Sequence, residues 1–235
     1  MAESFKKLSI LIPVYNEAAT VAELLRRVQA APASGLEKEI ILVDDCSTDG
    51  SGEILRKLPA SRQVKTFAHP QNRGKGAALR TALAHATGEI VLIQDADLEY
   101  DPNDYPKLLQ PILDGRAEVV FGSRFAGGTH RVLLFWHYAA NKFLTLISNM
   151  LCNLNLTDME TCYKVFKRSC LDGIVLTSER FGIEVELTAK LARKRHRFYE
   201  TDISYSGRDY SEGKKITWRD GLAALWFIFR YRFFN

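Results

Sequence analysis

The chain has 235 residues, of which 46% are hydrophobic, and carries a formal net charge of +4. This length and apolar content are sufficient for one domain with its own core. So small a charge argues against a dedicated nucleic-acid binder, although basic patches could face phosphates or lipid headgroups. The cysteines show no zinc-like spacing, which favours a reduced cytoplasmic setting. No stretch reaches the roughly 20 apolar residues of a membrane-spanning helix, and the N-terminal apolar segment is too short for a signal peptide.

The first half of the chain alternates apolar, strand-like runs with amphipathic, helix-like segments. Strands are predicted at residues 8–14, 39–43, 64–68, 90–93 and 117–121. Helices are predicted at residues 17–31, 52–58, 74–86 and 105–113. This alternation is typical of an α/β domain with a mostly parallel central sheet and helices on both faces.

Two segments of the second half mix apolar and polar residues differently. Residues 132–154 contain no acid and one lysine, Lys142, and polar residues recur there every three to four positions. This spacing predicts an amphipathic helix that is buried on most sides or lies in a membrane interface. Residues 221–234 mix aromatic side chains with Arg230 and Arg232. That mixture suits a headgroup zone, but a helix that closes the core or a dimer contact fits it equally well.

The segment IVLIQDADLEYDP, residues 90–102, places three acids just past a buried strand: Asp95, Asp97 and Glu99. Open α/β sheets bind ligands at the carboxyl ends of their strands. In an extended segment, alternate residues point the same way, so these acids are predicted to share one hard cation. Taken alone, the segment fits a solvated acidic turn as well.

Other strand ends carry groups that suit a nucleotide. Tyr15 offers a flat face for a base, and Glu17 offers a carboxylate, although Asn16-Glu17 could simply cap a helix. Asp45 follows the second strand, where a carboxylate can accept from the N–H groups of uracil or guanine. Pro13 has no donor and belongs at a strand end.

Residues 72–76, NRGKG, precede a helix, and their glycines allow close backbone approach to an anion at its N-terminus. The segment matches neither the Walker A loop nor GxGxxG, so a dinucleotide cofactor is not expected. A further short motif, Gly122-Ser123-Arg124, follows the fifth strand.

The motifs IPVYNE, VDDCSTDGS, NRGKGAALR, QDADLEYDP and GSR, in this order, resemble those of the inverting family 2 glycosyltransferases of the GT-A fold. The polyprenyl-phosphate (dolichol-phosphate) sugar synthases resemble the chain most. The resemblance covers nearly the whole sequence. It implies a GT-A catalytic domain at 1–205, with a nucleotide-binding half at 1–125 and an acceptor half at 126–205. Residues 206–235 would form a basic loop and an aromatic helix that contacts a membrane or another subunit.

The resemblance also assigns roles to individual residues. It implies a nucleotide-sugar site formed by Pro13, Tyr15, Glu17, Asp45, Lys75, Asp95 and Arg124. It implies Mg²⁺ or Mn²⁺ held by Asp95, Asp97 and Glu99, and catalytic roles for Asp97, Asp158, Glu186 and Arg208. The acceptor phosphate would be held by Arg131, Arg208, Lys214 and Lys215.

The implied reaction transfers a hexose from a nucleotide-diphosphate sugar to a polyprenyl or dolichyl phosphate. The acceptor has a second pKa of about 6 and is already nucleophilic near neutral pH, so a strong general base is dispensable. Direct displacement would invert the anomeric centre. UDP-glucose or another UDP-hexose is favoured, with GDP-mannose as the alternative. The resemblance implies a peripheral protein on the cytoplasmic face of a membrane and permits a homo-oligomer.

Three other functions remain open: a transferase with a non-lipid acceptor, a nucleotidyltransferase and a non-catalytic nucleotide-sugar-binding protein. A nucleotidyltransferase usually needs a glycine-rich basic loop after the first strand, where this chain has IPVYNE. The intact acids and basic residues argue against a non-catalytic protein. Solvent-exposed positions are expected for Lys164, Lys167, Arg168 and residues 193–197, and no histidine receives a catalytic role.

Overall fold

The computed structural model describes residues 4–59, 61–127, 131–132, 134–180, 182–208 and 218–234. Its strands are β1 Lys7–Val14, β2 Glu37–Asp44, β3 Val64–Ala68, β4 Ile90–Ile93, β5 Val119–Ser123, β6 Lys164–Lys167 and β7 Phe198–Asp202. Its helices are α1 Val21–Ala30, α2 Ser51–Arg56, α3 Lys75–His85, α4 Tyr105–Leu113, α5 Phe135–Cys152, α6 Ile183–Arg193 and α7 Trp218–Phe233.

Within the described residues, the seven strands join one sheet in the order β3-β2-β1-β4-β6-β5-β7. The sheet is parallel except at β6, which runs antiparallel to β4 and β5. Residues 8–14 of β1 are all buried, and successive side chains of a strand point to opposite faces, so both faces of the sheet are covered there. The predicted α/β fold with a mostly parallel central sheet is confirmed.

Helix α1 begins at Val21, four residues later than predicted, because Asn16 has a positive φ of 53° and residues 18–20 form a turn. The prediction missed β6 and β7. Strand β6 is only the four residues KVFK, whose terminal lysines conceal its burial. Strand β7 has five residues, and it pairs in parallel with β5.

The lysines of β6 correct a second prediction. Lys164 is fully buried and donates to the carbonyl oxygens of Met159, at 2.8 Å, and Thr161. Burial lowers the pKa of Lys164. Lys167 is also buried, so the predicted solvent exposure of both lysines is wrong. It is right for Arg168, which is exposed, as residues 193–197 mostly are.

Helix α5 turns polar residues inward and aromatic residues outward. Thr145 and Ser148 are buried, and Thr145 accepts from the backbone N–H of Met159 at 3.1 Å. The exposed apolar side chains include Phe135, Trp136, Phe143, Leu146 and Met150. Helix α5 packs against α6 and α7. Among the described residues, no helix combines the length and apolar character needed to cross a bilayer.

Candidate active site

Acidic side chains from two neighbouring strand ends converge on one arginine. Arg208 donates from Nη2 to Asp97 at 2.8 Å and from Nε to Glu99 at 3.0 Å. Its guanidinium also lies 3.5 Å from Glu17, which follows β1. The backbone N–H of Arg208 donates to Glu99 as well, and Tyr205 donates its hydroxyl to the same carboxylate at 2.7 Å. The segment before residue 209 is therefore fixed against the acidic segment after β4.

The acidic segment itself is bent, not extended as predicted. Residues 96–99 form bends, and the N–H of Glu99 donates to the carboxylate of Asp97 at 3.2 Å. Asp95 consequently pairs with Lys75, whereas Asp97 and Glu99 pair with Arg208. Within the described part of the chain, no three His, Cys, Asp or Glu side chains form a group that could hold a metal ion. The predicted cage of three carboxylates is thus not formed.

A smaller metal site still fits the electrostatics of this segment. Burial, followed by the charges of Asp95 and Glu99, raises the pKa of Asp97 to about 7. Crowded carboxylates of this kind are relieved by a cation. Magnesium usually takes one or two protein carboxylates and completes its shell with water and substrate phosphates. Asp95 and Asp97 could supply those two carboxylates.

Lys75 links the acidic segment to α6. Its Nζ lies 2.6 Å from Asp95 and 2.7 Å from Glu184 in the first turn of α6. Although burial alone lowers the pKa of Lys75, the charges of Asp95 and Glu184 raise it above its usual value. The preceding Gly74 has a φ of 90°, and a Cβ there would lie 2.4 Å from the carbonyl oxygen of Glu179. Glycine is therefore required where α3 begins.

Arg124 and Asp158 form a bidentate ion pair on the other side of the site. The two side chains meet at 2.6 and 2.8 Å, and the N–H of Arg124 donates to the same carboxylate. Asp158 is fully buried. Burial by itself lowers the pKa of Arg124, but Asp158 raises it above the usual value. Asp158, predicted to be catalytic, is placed here to orient Arg124.

Asp45 is buried at the carboxyl end of β2, with its oxygens bonded within the protein. It contacts His69 Nδ1 at 2.7 Å and accepts from the N–H groups of Arg73 and Gly74, the latter at 2.6 Å. His69 Nε2 lies 2.9 Å from the hydroxyl of Thr81. Asp45 thus anchors the loop before α3, whereas the ring of Tyr15 is exposed at the end of β1.

Glu186 is fully buried and occupied by internal donors. Thr177, Ser178 and Lys190 all donate to its carboxylate at 2.6–3.0 Å. Glu184, two residues earlier, contacts Lys75 instead. Residues two positions apart on a helix point about 200° away from each other, so Glu184 and Glu186 face different sides of α6. The acid of α6 that lies beside the metal candidates is Glu184.

The remaining predicted residues divide between the site and its surroundings. Pro13 is buried at the end of β1. Arg131 donates to the carbonyl oxygen of Gly207 at 2.9 Å, which places it beside Arg208. Lys214 and Lys215 lie outside the described residues. The residues of this region that were not predicted to take part in the site are His69, Glu160, Lys164 and Glu184. A signal was available for Glu184, because it is an acid only two residues before Glu186, which was predicted to be catalytic.

Comparison with known proteins decides the family. The family described as Glycosyl transferase family 2 matches residues 9–175, which is more than half of the chain. The chain belongs to glycosyl transferase family 2. This family 2 chain is 29% identical over 216 residues to the undecaprenyl-phosphate 4-deoxy-4-formamido-L-arabinose transferase of Salmonella paratyphi A, covering 91% of the chain and 64% of that relative.

A second relative is the dolichol-phosphate mannosyltransferase of Pyrococcus furiosus, 27% identical over 211 residues, covering 88% of the family 2 chain and 59% of the relative. The chain therefore spans less than two thirds of the length of either protein. A similar solved structure is glucosyl-3-phosphoglycerate synthase from Mycobacterium tuberculosis in complex with Mn²⁺ and UDP-glucose. It aligns with a TM-score of 0.70 at 19% identity, covering 97% of this chain and 79% of that one.

Proposed function

We propose that the chain is an inverting hexosyltransferase that transfers a sugar from a nucleotide-diphosphate sugar to a polyprenyl phosphate. The observation that carries the proposal is that Asp95, Asp97, Lys75 and Arg208 meet at the carboxyl ends of the strands. Arg124 lies over the ring of Tyr205, which donates to Glu99 of the same segment. Acids there suit a metal-bound diphosphate, and fixed cations suit a second phosphate. Membership of family 2 and the two lipid-phosphate transferases among its relatives support the same reading.

The metal would be Mg²⁺ or Mn²⁺, held by Asp95 and Asp97 and supplying charge to the departing diphosphate. The similar mycobacterial synthase was crystallised with Mn²⁺ and UDP-glucose. Glu99 is committed to Tyr205 and Arg208, so it positions that segment instead of joining the metal shell. Tyr15 and Asp45 would contribute to the nucleoside pocket, Tyr15 through its exposed ring and Asp45 through the loop that it anchors.

The residues around Arg208 would bring two anions together. Arg124 is held rigidly by Asp158, so it can present its remaining donors to the donor phosphates or sugar. Arg131 and Arg208, with Lys214 and Lys215 of the following loop, would neutralise the acceptor phosphate. A phosphate oxygen then bonds to the anomeric carbon while that carbon's bond to the diphosphate oxygen breaks. The electron pair leaves with the diphosphate, and an α-linked donor gives a β-linked product.

The acceptor side would lie at a membrane surface on its cytoplasmic face. Helices α5 and α7 expose large aromatic side chains, with Trp136 79% and Trp226 60% accessible. Residues 132–154 and 221–234 contain no acid, and Arg230 and Arg232 supply positive charge. Aromatic and cationic side chains together favour the headgroup region of an anionic bilayer. A contact between two copies of the chain would use the same surface and is the competing possibility.

The test is a transfer assay with a short polyprenyl phosphate in anionic vesicles, using UDP-glucose or GDP-mannose with Mn²⁺. We expect transfer from UDP-glucose, an inverted product by NMR and co-sedimentation with the vesicles. Transfer from GDP-mannose alone would establish the alternative donor. Retention of configuration, or no transfer from either donor, would overturn the proposal. Transfer to a soluble phosphate monoester without vesicle binding would establish a non-lipid acceptor.

Two remoter functions are tested in the same assay. A nucleotidyltransferase would release pyrophosphate from a nucleoside triphosphate and would not transfer sugar. A non-catalytic nucleotide-sugar-binding protein would bind the donor in calorimetry without turnover. The assigned domain limits, 1–205 and 206–235, are part of the proposal, and a chain ending at residue 205 would lack Arg208 and should lose transfer.

A further inference from the structure

Two carboxyl groups of the site region, those of Glu160 and Glu184, have an oxygen without a hydrogen-bond partner. Within the described part of the chain, buried side-chain atoms that lack a partner include Oε1 of Glu160 and Oε2 of Glu184. Glu184 is 7% exposed, and its other oxygen contacts Lys75. Buried polar groups are ordinarily hydrogen-bonded, so unpaired ones point to a ligand or ordered water.

The two carboxyls are near enough for their charges to interact, and each also interacts with a different part of the site. Glu160 interacts electrostatically with Glu184, Lys164 and Arg124, and it follows Asp158 by two residues. Glu184 is joined through Lys75 to Asp95. One carboxyl is therefore next to the Arg124–Asp158 pair, and the other is next to the metal candidates. If a diphosphate is held at Asp95 and Asp97, only the side chain of Lys75 separates it from Glu184.

The chemistry of the pair matches a polyhydroxylated ligand. An ionised carboxylate accepts several hydrogen bonds, and a protonated one also donates. Burial, followed by the charge of Glu184, raises the pKa of Glu160 to about 7, so near neutral pH both modes are available. Hydroxyl groups of a pyranose ring can donate to and accept from such a pair. An anionic substituent would meet the like charge of Glu184.

We propose that Glu160 and Glu184 form the subsite that hydrogen-bonds the hydroxyl groups of the transferred sugar and selects neutral hexoses over uronic acids. This inference rests on the proposed function. It assigns the pair to substrate recognition, not to proton transfer in the reaction.

The test compares binding of UDP and UDP-glucose, in the presence of Mn²⁺, by titration calorimetry, with GDP and GDP-mannose run in parallel. For Glu160→Ala we expect the affinity for the nucleotide sugar, relative to the nucleotide alone, to fall about tenfold, as for one lost hydrogen bond to a charged group. Affinity for the nucleotide diphosphate should stay within twofold. Glu118→Gln, which changes an ion-paired glutamate at the opposite end of β5, should change neither value.

Two further measurements separate recognition from a structural role. Glu160→Gln keeps the size of the side chain, and a cooperative urea transition should show that the variant is folded before its binding is compared. The unmodified chain should bind UDP-glucose at least tenfold more tightly than UDP-glucuronate. In the double variant Glu160→Gln/Glu184→Gln, the ratio of these two affinities should be smaller. An unchanged affinity ratio in the double variant would contradict the proposal.

The remaining outcomes distinguish this inference from the function on which it rests. Nucleotide diphosphates could bind while the sugar adds the same affinity in Glu160→Ala as in the unmodified chain. In that case the carboxyls contact only solvent, and the inference is overturned while the proposed function stands. If no nucleotide and no nucleotide sugar binds the unmodified chain, the proposed function fails and the subsite fails with it.

Discussion

Two groups of buried or half-buried carboxylates in this molecule have opposite surroundings. At the end of β2, Asp45 is surrounded by donors from His69, Arg73 and Gly74. In the group formed by Asp97 and Glu184, by contrast, the acids are crowded by like charge or keep an oxygen without a partner. Carboxylates of the first kind hold the framework together, because removing them leaves donors buried without partners. Those of the second kind are relieved by a ligand.

Replacement of Asp45 by alanine should have the largest effect on stability. Asp45→Ala removes the acceptor of His69 and of two backbone N–H groups, and we expect the free energy of unfolding to fall by about 3 kcal/mol. Urea unfolding followed by circular dichroism measures this change. Asp114→Ala is the matched control, because Asp114 is exposed, and it should cost no more than about 0.5 kcal/mol. Equal losses of stability in Asp45→Ala and Asp114→Ala would show that Asp45 does not hold the framework together.

Asp97 belongs to the other group and should show the reverse pattern. Asp97→Asn keeps the shape of the side chain but removes its charge, and we expect turnover to fall about a hundredfold through lost metal binding. The free energy of unfolding should not fall, because the substitution relieves repulsion from Asp95 and Glu99. Steady-state kinetics at several Mn²⁺ concentrations and urea unfolding provide the two readouts. If Asp97→Asn kept its turnover but lost stability, Asp97 would belong, like Asp45, to the carboxylates that hold the framework together.

Arg208 provides an intermediate effect because it supplies positive charge to the acidic group in the free protein. Arg208→Gln removes a guanidinium 2.8 Å from Asp97, so the affinity for Mn²⁺ alone should rise several-fold. Electron paramagnetic resonance of free Mn²⁺ measures this affinity without turnover. Arg116→Gln, an exposed partner of Asp114, serves as the control and should leave it unchanged. Weaker Mn²⁺ binding in Arg208→Gln would mean that Arg208 supports the metal site.

The smallest effect concerns Glu39, a bonded carboxylate at the opposite end of β2. Burial alone would raise its pKa, but hydrogen bonds from Lys65, Ser9 and Thr87 lower it to about 2. Because the folded pKa lies below the unfolded value near 4.5, the stabilisation is present above pH 4.5 and is lost as the pH falls towards 2. Urea midpoints between pH 6 and 2.5 should decline less steeply in Glu39→Gln. Identical slopes would show that Glu39 makes no contribution.

The sequence predicted the elements that depend on local pattern. Strands β3 and β4 and helix α4 have the predicted limits, because apolar runs and periodicity are local properties. Strand β6 was missed because its two lysines look polar, although Lys164 is buried by carbonyl acceptors that flanking residues supply. Helix α5 was predicted to be amphipathic, and its bounds shortened from 132–154 to Phe135–Cys152.

The order of the motifs by itself determined the family, the sheet and the edge at which the site lies, because parallel strands bring their carboxyl ends to one side. Only the tertiary structure decided which acids face each other. Arg208 reaches Asp97 across 111 positions of sequence, and the phase of α6 turns Glu184 to Lys75 and Glu186 to Lys190. Whether a carboxylate has hydrogen-bond partners for both oxygens depends on such distant residues and on burial. Neither can be read from spacing along the chain.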